Sequence, residues 1–207
     1  HPHLSSDKKF AVVHNGIIEN YLQLKDELKA QGVQFKSETD TEVIPQMISQ
    51  YYKGDFFEAV SKTVKKLEGS YALGIICSDY PDTLIAARKF SPLIIGVSEN
   101  ENYIASDVTA TVTHTRDVIY IEDGEIAVLT PSEVKIYDSD KNEIKREISH
   151  INWDVSAAEK GGYDHFMMKE IMEQPNAVKQ TVESRLHGRE IVFEGLKLNE
   201  EKLKKIG

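Results

Sequence analysis

Apolar and polar positions alternate along the chain in three regimes. Lys9 to Val13 turns apolar and β-branched in its second half, which predicts a short buried strand. From Glu19 the period changes, because Leu22, Leu24 and Leu28 recur among Lys, Asp and Glu before Gly32. That spacing predicts an amphipathic helix with a glycine stop, and it places Asn15-Gly16 where a strand hands over to a helix. A second helical period sets Val43, Ile44, Met47, Ile48 and Tyr51 on or near one face, with Pro45 compatible with its first turn. Ahead of it stands Ser37-Glu38-Thr39-Asp40-Thr41-Glu42, in which Thr39 and Glu42 have the spacing of a capping box. A third helix is expected from Asp55 to Leu67, with Phe56, Ala59, Val60, Val64 and Leu67 at steps of three and four and Gly69 as its end.

The pattern then becomes β. Strands are predicted at Tyr71–Cys77, Thr83–Arg88, Leu93–Val97, Tyr103–Ser106, Val118–Ile121, Glu125–Leu129 and Val134–Tyr137. Asp79-Tyr80-Pro81-Asp82 and Asp123-Gly124 read as turns, so the region is a meander of antiparallel hairpins. Helices first and strands afterwards indicate α+β layering rather than a βαβ repeat. Asp138 to Asn142 reads as a polar hairpin tip and Ser156 to Gly162 as a linker. Phe166, Met167, Glu170, Ile171 and Met172 predict a helical turn or two broken near Pro175, and a further helix is expected from Asn176 to His187. The methionines there read as packing residues.

Composition narrows the class. The 207 residues allow one full domain and part of a second. The longest apolar runs, such as Leu93 to Val97, are too short to cross a bilayer. The chain opens His1-Pro2-His3 with no basic start, apolar h-region or initiator Met, and is expected to be a piece of a longer polypeptide. A formal charge of −9 without an aromatic-studded basic stripe argues against nucleic acid as the main partner. It leaves room for a local basic pocket that takes a phosphorylated small molecule. The single cysteine, Cys77, permits no internal disulfide and fits a reducing cytoplasm. Set between Ile76 and Ser78 with no cation beside it, Cys77 reads as a small buried hydrophobe and not as a nucleophile. His1, His3 and His14 lack the remaining ligands of a closed tetrahedral set and read as hydrogen-bonded groups around a strand start, so no metal or cofactor is expected.

Two places could carry chemistry. Asn-Gly is most often a two-residue hairpin turn, but here a charged helical stretch follows at once instead of a second strand. Such a junction can present the Asn15 amide and the Gly16 backbone N–H to one point, the arrangement that holds a developing oxyanion. Asp40 either stabilises the positive end of the second helix or projects a carboxylate toward a ligand ammonium, and the two roles are compatible.

Several segments occur in one order: His1-Pro2-His3, Val13-His14-Asn15-Gly16-Ile17-Ile18-Glu19-Asn20, Ser37-Glu38-Thr39-Asp40-Thr41-Glu42-Val43, Ser91-Pro92-Leu93, Ile104-Ala105-Ser106-Asp107 and Lys169-Glu170-Ile171-Met172-Glu173-Gln174-Pro175. Over nearly its whole length the chain thereby resembles the glutamine–fructose-6-phosphate aminotransferase (isomerizing) family, also called glucosamine-6-phosphate synthases, among the class II glutamine amidotransferases. The resemblance implies an α+β fold, a partial four-layer αββα sandwich of antiparallel sheets of the N-terminal-nucleophile hydrolase type, followed by linker and helices. It implies a glutaminase domain over 1–149, a linker over 150–163 and the start of a sugar-phosphate isomerase domain over 164–207. In that family an N-terminal cysteine attacks the glutamine side-chain amide, with its own α-amino group as base. Asn15 and Gly16 match the oxyanion pair, and Asp40 matches the carboxylate that grips the α-ammonium. The ammonia converts fructose 6-phosphate to glucosamine 6-phosphate, and the isomerase half commonly builds a homodimer. The nucleophile and the arginine-bearing loop for the glutamine carboxylate have no counterpart among these residues, so the isolated chain is expected to be inactive. A non-catalytic binding or interaction domain on the same fold, or an amidotransferase with another acceptor, are the competing readings.

Overall fold

A two-residue strand, β1 (His3–Leu4), pairs antiparallel with the nine-residue β2 (Phe10–Ile18). The computed structural model describes residues 1–152, 161–183, 185–187 and 190–191. The chain divides into two compact units, His1–Val155 and Ser156–Gly207. The first unit carries β1, β2, α1 (Tyr21–Ala30), a 3-10 turn (Asp40–Glu42), α2 (Val43–Tyr51), α3 (Phe56–Val64), β3 (Gly69–Cys77), β4 (Tyr80–Lys89), β5 (Ile94–Val97) and β6 (Asn102–Ala105). After a second 3-10 turn (Val108–Ala110) come β7 (Asp117–Tyr120), β8 (Ile126–Leu129), β9 (Val134–Tyr137), β10 (Glu143–Ile144) and β11 (Ser149–His150).

The strands form a seven-stranded sheet, β1-β2-β3-β4-β8-β9-β10, and a four-stranded sheet, β11-β7-β5-β6, with every pairing antiparallel. One face of the large sheet buries Phe10, Val12, Leu73, Ile75 and Ile85 against Ile44 and Ile48 of α2 and Phe56 and Val60 of α3. Each such fully buried side chain contributes about 1.5–3 kcal/mol of transfer free energy. The opposite face presents small residues, Ala72, Ala86 and Ala127, to Leu93, Ile95, Ile119 and Ile121 around the four-stranded sheet. At β2 that face is bare: Val13 is 43% and Ile17 64% exposed.

Three expectations about this unit are corrected. Asn15-Gly16 is not a strand-to-helix junction but lies inside β2, because β3 pairs with β2 along its whole length, from Phe10↔Cys77 to Ile18↔Gly69. Only at Asn20 does the chain leave the ladder, with its amide donating to the Lys66 carbonyl and accepting from Glu68 N–H. The capping box does not form, since Thr39 makes no side-chain cap bond and Glu42 turns back to Lys36 and Ser37. The turn expected at Asp79–Asp82 is the two-residue loop Ser78-Asp79, closed by the Cys77↔Tyr80 pair. Pro81 and Asp82 enter β4 because the register jumps there from Cys77↔Tyr80 to Ile76↔Leu84, and a bulge asks no ladder hydrogen bond of a proline.

In the second unit α4 (Phe166–Glu183) runs unbroken through Pro175, against the expected break, and Leu186–His187, where helix was expected, forms β12, which pairs with β13 (Glu190–Ile191). The proline forfeits one backbone bond. Lys169–Glu173 and Lys179–Glu183 pairs four residues apart support the turns on either side of it. The linker expected at 156–162 falls mostly outside the described residues. No described helix is long and apolar enough to cross a membrane.

Candidate active site

The site grows from the free edge of β2. Antiparallel pairing sends alternate N–H groups of a strand to opposite sides. The Glu19 N–H reaches across to the Glu68 carbonyl at 2.9 Å, so the N–H groups of His14, Gly16 and Ile18 point away from β3. β1 covers only Ala11 and Val12 on that side. Past Val12 the edge therefore presents three donors in a row. His14 N–H donates to His1 Nδ1 at 3.4 Å, and Ile18 N–H donates to Asp40 Oδ2 at 2.8 Å. Between them, Gly16 N–H meets no acceptor among the described residues.

Gly16 has φ +130°, a conformation that L side chains rarely adopt, and a Cβ there would stand 2.1 Å from the Ser70 carbonyl oxygen. The same Cβ would lie 3.0 Å from the Ser91 hydroxyl, which brings the Ser91-Pro92-Leu93 segment to the site. No other residue type holds the backbone N–H in this position without moving β3. Asn15 is exposed on the bare face of β2, and its amide bonds no described residue. One side-chain donor and one backbone donor are thus adjacent and free.

Asp40 opens the 3-10 turn that packs beside β2, and it is partly buried. Its anchor, Ile18 N–H, is two residues beyond Gly16, a separation of roughly 7 Å along a strand. The Gly16 N–H and Asp40 therefore lie along one strand edge, with Asn15 beside Gly16 on the bare face of the strand. The loop that delivers Asp40 is held from three directions. Buried Glu42 accepts from Lys36 N–H at 2.8 Å, Ser37 N–H at 2.6 Å and the Ser37 hydroxyl at 2.5 Å. Burial pushes the Glu42 carboxyl up, but the Ser37 hydroxyl and the Lys36 and Ser37 N–H groups outweigh it and hold the group below its usual range. Lys25, 4% exposed, donates to the Ser37 carbonyl at 3.1 Å and pairs with Glu38 at 3.0 Å.

Beneath the edge, buried His14 sits with its Nδ1 3.0 Å from the Thr41 hydroxyl. Burial holds its imidazole below the ordinary histidine range, although Asp40 acts the other way. Sequence reasoning missed the pairing of His14 with Thr41 and the turned-back Glu42. Their only signal was membership in the His-Asn-Gly and Glu-Thr-Asp-Thr-Glu segments. Cys77 lies 3% exposed with its thiol pushed up by burial, in a state unsuited to nucleophilic attack.

A family model described as a glutamine amidotransferase domain matches residues 1–113. Over all 207 residues the chain is 50% identical to a glutamine–fructose-6-phosphate aminotransferase (isomerizing) of Clostridium tetani, and 52% identical to that of Clostridium acetobutylicum. It spans about a third of those curated relatives, 34% of each. Among solved structures, a glutamine phosphoribosylpyrophosphate amidotransferase from B. subtilis, complexed with ADP and GMP, is 26% identical with a TM-score of 0.59. That likeness covers 69% of this chain and 32% of the other. A structure of the allosteric regulatory enzyme of purine biosynthesis is 25% identical with a TM-score of 0.57, over 69% of this chain and 31% of that one.

Proposed function

The chain belongs to the glutamine amidotransferase domain family, and from that premise we propose that the β2 edge binds L-glutamine and stabilises the transition state of its hydrolysis. The observation that carries this reading is the unoccupied Gly16 N–H, flanked by the exposed Asn15 amide and, two residues on, by the Asp40 carboxylate. Glutamine has its α-ammonium and side-chain carbonyl separated by the α-carbon and two methylenes, a reach of the same order as the Gly16–Ile18 spacing. In the proposed reaction a thiolate adds to the amide carbon. The carbonyl oxygen becomes an oxyanion that accepts from Asn15 Nδ2–H and Gly16 N–H. Ammonia leaves with a proton returned by the base, and water then releases glutamate from the thioester. The attacking thiol is not the buried Cys77. In the natural polypeptide we assign it to an N-terminal cysteine outside these 207 residues.

We extend the reading to transfer of the ammonia to fructose 6-phosphate, giving glucosamine 6-phosphate. Full-chain identities of 50% and 52% to aminotransferases of that name support this. Residues 164–207 are then the start of a sugar-phosphate isomerase domain, through which the natural enzyme dimerises. Cys77, with no second cysteine among these 207 residues to pair with, supports a cytoplasmic setting. Asp40→Asn in the natural polypeptide tests the binding role. Asn Oδ1 still accepts from Ile18 N–H while the negative charge is gone, so the ammonium loses its charge partner and Thr41 loses its acceptor. The KM for glutamine is expected to rise by about tenfold or more, the worth of a charge-assisted hydrogen bond, with a smaller change in kcat. An unchanged KM overturns the assignment.

A further inference from the structure

A histidine in a hydrophobic core needs a reason to be there. His14 projects from the helix-facing side of β2, on the same face as Phe10, Val12 and Ile18, and is 5% exposed. Its Nε2 is buried and makes no well-aligned hydrogen bond among the described residues, so packing alone is served better by a phenylalanine. What distinguishes His14 is the hydrogen bond between its Nδ1 and the Thr41 hydroxyl at 3.0 Å, while the Ser70 backbone carbonyl also favours a protonated ring. Thr41 is itself 3% exposed, and its hydroxyl lies 3.5 Å from Asp40 Oδ1.

The hydroxyl has one proton, which restricts the chain of contacts. If Thr41 donates to Asp40, it must accept from His14, and the imidazole hydrogen must be on Nδ1. The other neutral tautomer takes the Thr41 proton for itself and removes the contact to Asp40. The Nδ1–H form satisfies both contacts, and donors polarise one another along such a chain. Asp40 is then gripped at both oxygens, Oδ2 by Ile18 N–H and Oδ1 by Thr41, with lone pairs left over for a ligand cation.

We propose that His14 is a positioning residue for the substrate α-ammonium, acting through the Thr41 hydroxyl on the Asp40 carboxylate. The proposal rests on the reading of Asp40 as the ammonium partner. It assigns His14 and Thr41 to glutamine binding rather than to the bond-breaking step.

Steady-state glutaminase kinetics of the natural polypeptide test it with four variants. Thr41→Val is nearly isosteric, keeps the turn and deletes only the relay. His14→Phe keeps the core volume, and His14→Asn returns an N–H donor to the position of Nδ1. Thr41→Val and His14→Phe are each expected to raise the glutamine KM by about tenfold with kcat changed less than about threefold, and the double variant to be no worse than either alone. His14→Asn is expected to bring KM back to within about threefold of the parent. Asp40→Asn is the reference. If it raises KM while Thr41→Val does not, the relay is refuted and the glutamine site stands. If Asp40→Asn leaves KM unchanged, the site itself is refuted. Equal losses in kcat from Thr41→Val also overturn the proposal, since a relay to the binding carboxylate does not act on the chemical step. Should His14→Phe fail to fold, the comparison of Thr41→Val with Asp40→Asn decides.

Discussion

Replacing Gly16 by alanine tests the site at its tightest point. A Cβ on Gly16 would meet the Ser70 carbonyl oxygen at 2.1 Å and its carbon at 2.8 Å, both backbone atoms that cannot swing aside. The facing strands must part by roughly 1 Å before that contact becomes ordinary, and a misplacement of that size costs on the order of 100-fold in a positioned reaction. The backbone conformation adds strain of about 1–3 kcal/mol for a side-chain-bearing residue. In a domain of this size that lowers the melting temperature by about 2–4 °C per kcal/mol. Gly32→Ala is the control. Its φ of +88° is also positive, but its Cβ would meet nothing within 4 Å. Glutamate release by the natural polypeptide should fall about 100-fold or more in kcat for Gly16→Ala and stay at the parental value for Gly32→Ala, while both lose thermal stability by circular dichroism. A Gly16→Ala enzyme that folds and keeps kcat within about threefold of the parent would show that the Gly16 N–H holds no developing charge.

The remaining expectations concern neighbouring groups. Asn15→Ala should reduce glutaminase kcat by about 100-fold or more. Because that amide is exposed and bonds no described residue, it should change unfolding free energy by less than about 0.5 kcal/mol in urea titration; a large stability loss would reassign Asn15 to the fold. Glu42→Gln removes one of two oxygens that accept three hydrogen bonds, and should destabilise by about 2–3 kcal/mol, with unaltered urea midpoints counting against the clamp. The stabilisation by Glu42 is expected in full above its unfolded pKa near 4.5 and to vanish as pH falls through the lower folded value. His14 acts in a different window. Its folded pKa is depressed below 6.5 by burial, so the unfolded state binds the proton more readily and stability falls as pH drops below 6.5 toward the folded value. Thermal melts of His14→Phe between about pH 5 and 6.5 should lose that slope, and a slope as steep as the parent's would mean that His14 is not its source.

The apolar period alone determined much of this protein. It placed the cores of α1, α2 and α3, and it found the runs that became β3 to β9, because burial on one face is written into local spacing. Asn15, Gly16 and Asp40 stood out as candidate groups by residue type and neighbours. Tertiary structure decided how they meet. β2 extends through Asn15-Gly16 only because β3, whose Ala72 faces Asn15, supplies a partner ladder from more than fifty residues away. That pairing, and no local propensity, sets which N–H groups of β2 point outward and leaves the Gly16 donor free. Glu42 looked like a helix cap, yet its carboxylate found stronger partners in the Lys36 and Ser37 backbone. The contact of His14 with Thr41 joins residues 27 positions apart. Periodicity records which side of an element is buried; which donor faces which acceptor is settled only when separate elements dock, since hydrogen bonds depend on ångström distances that spacing along the chain does not encode.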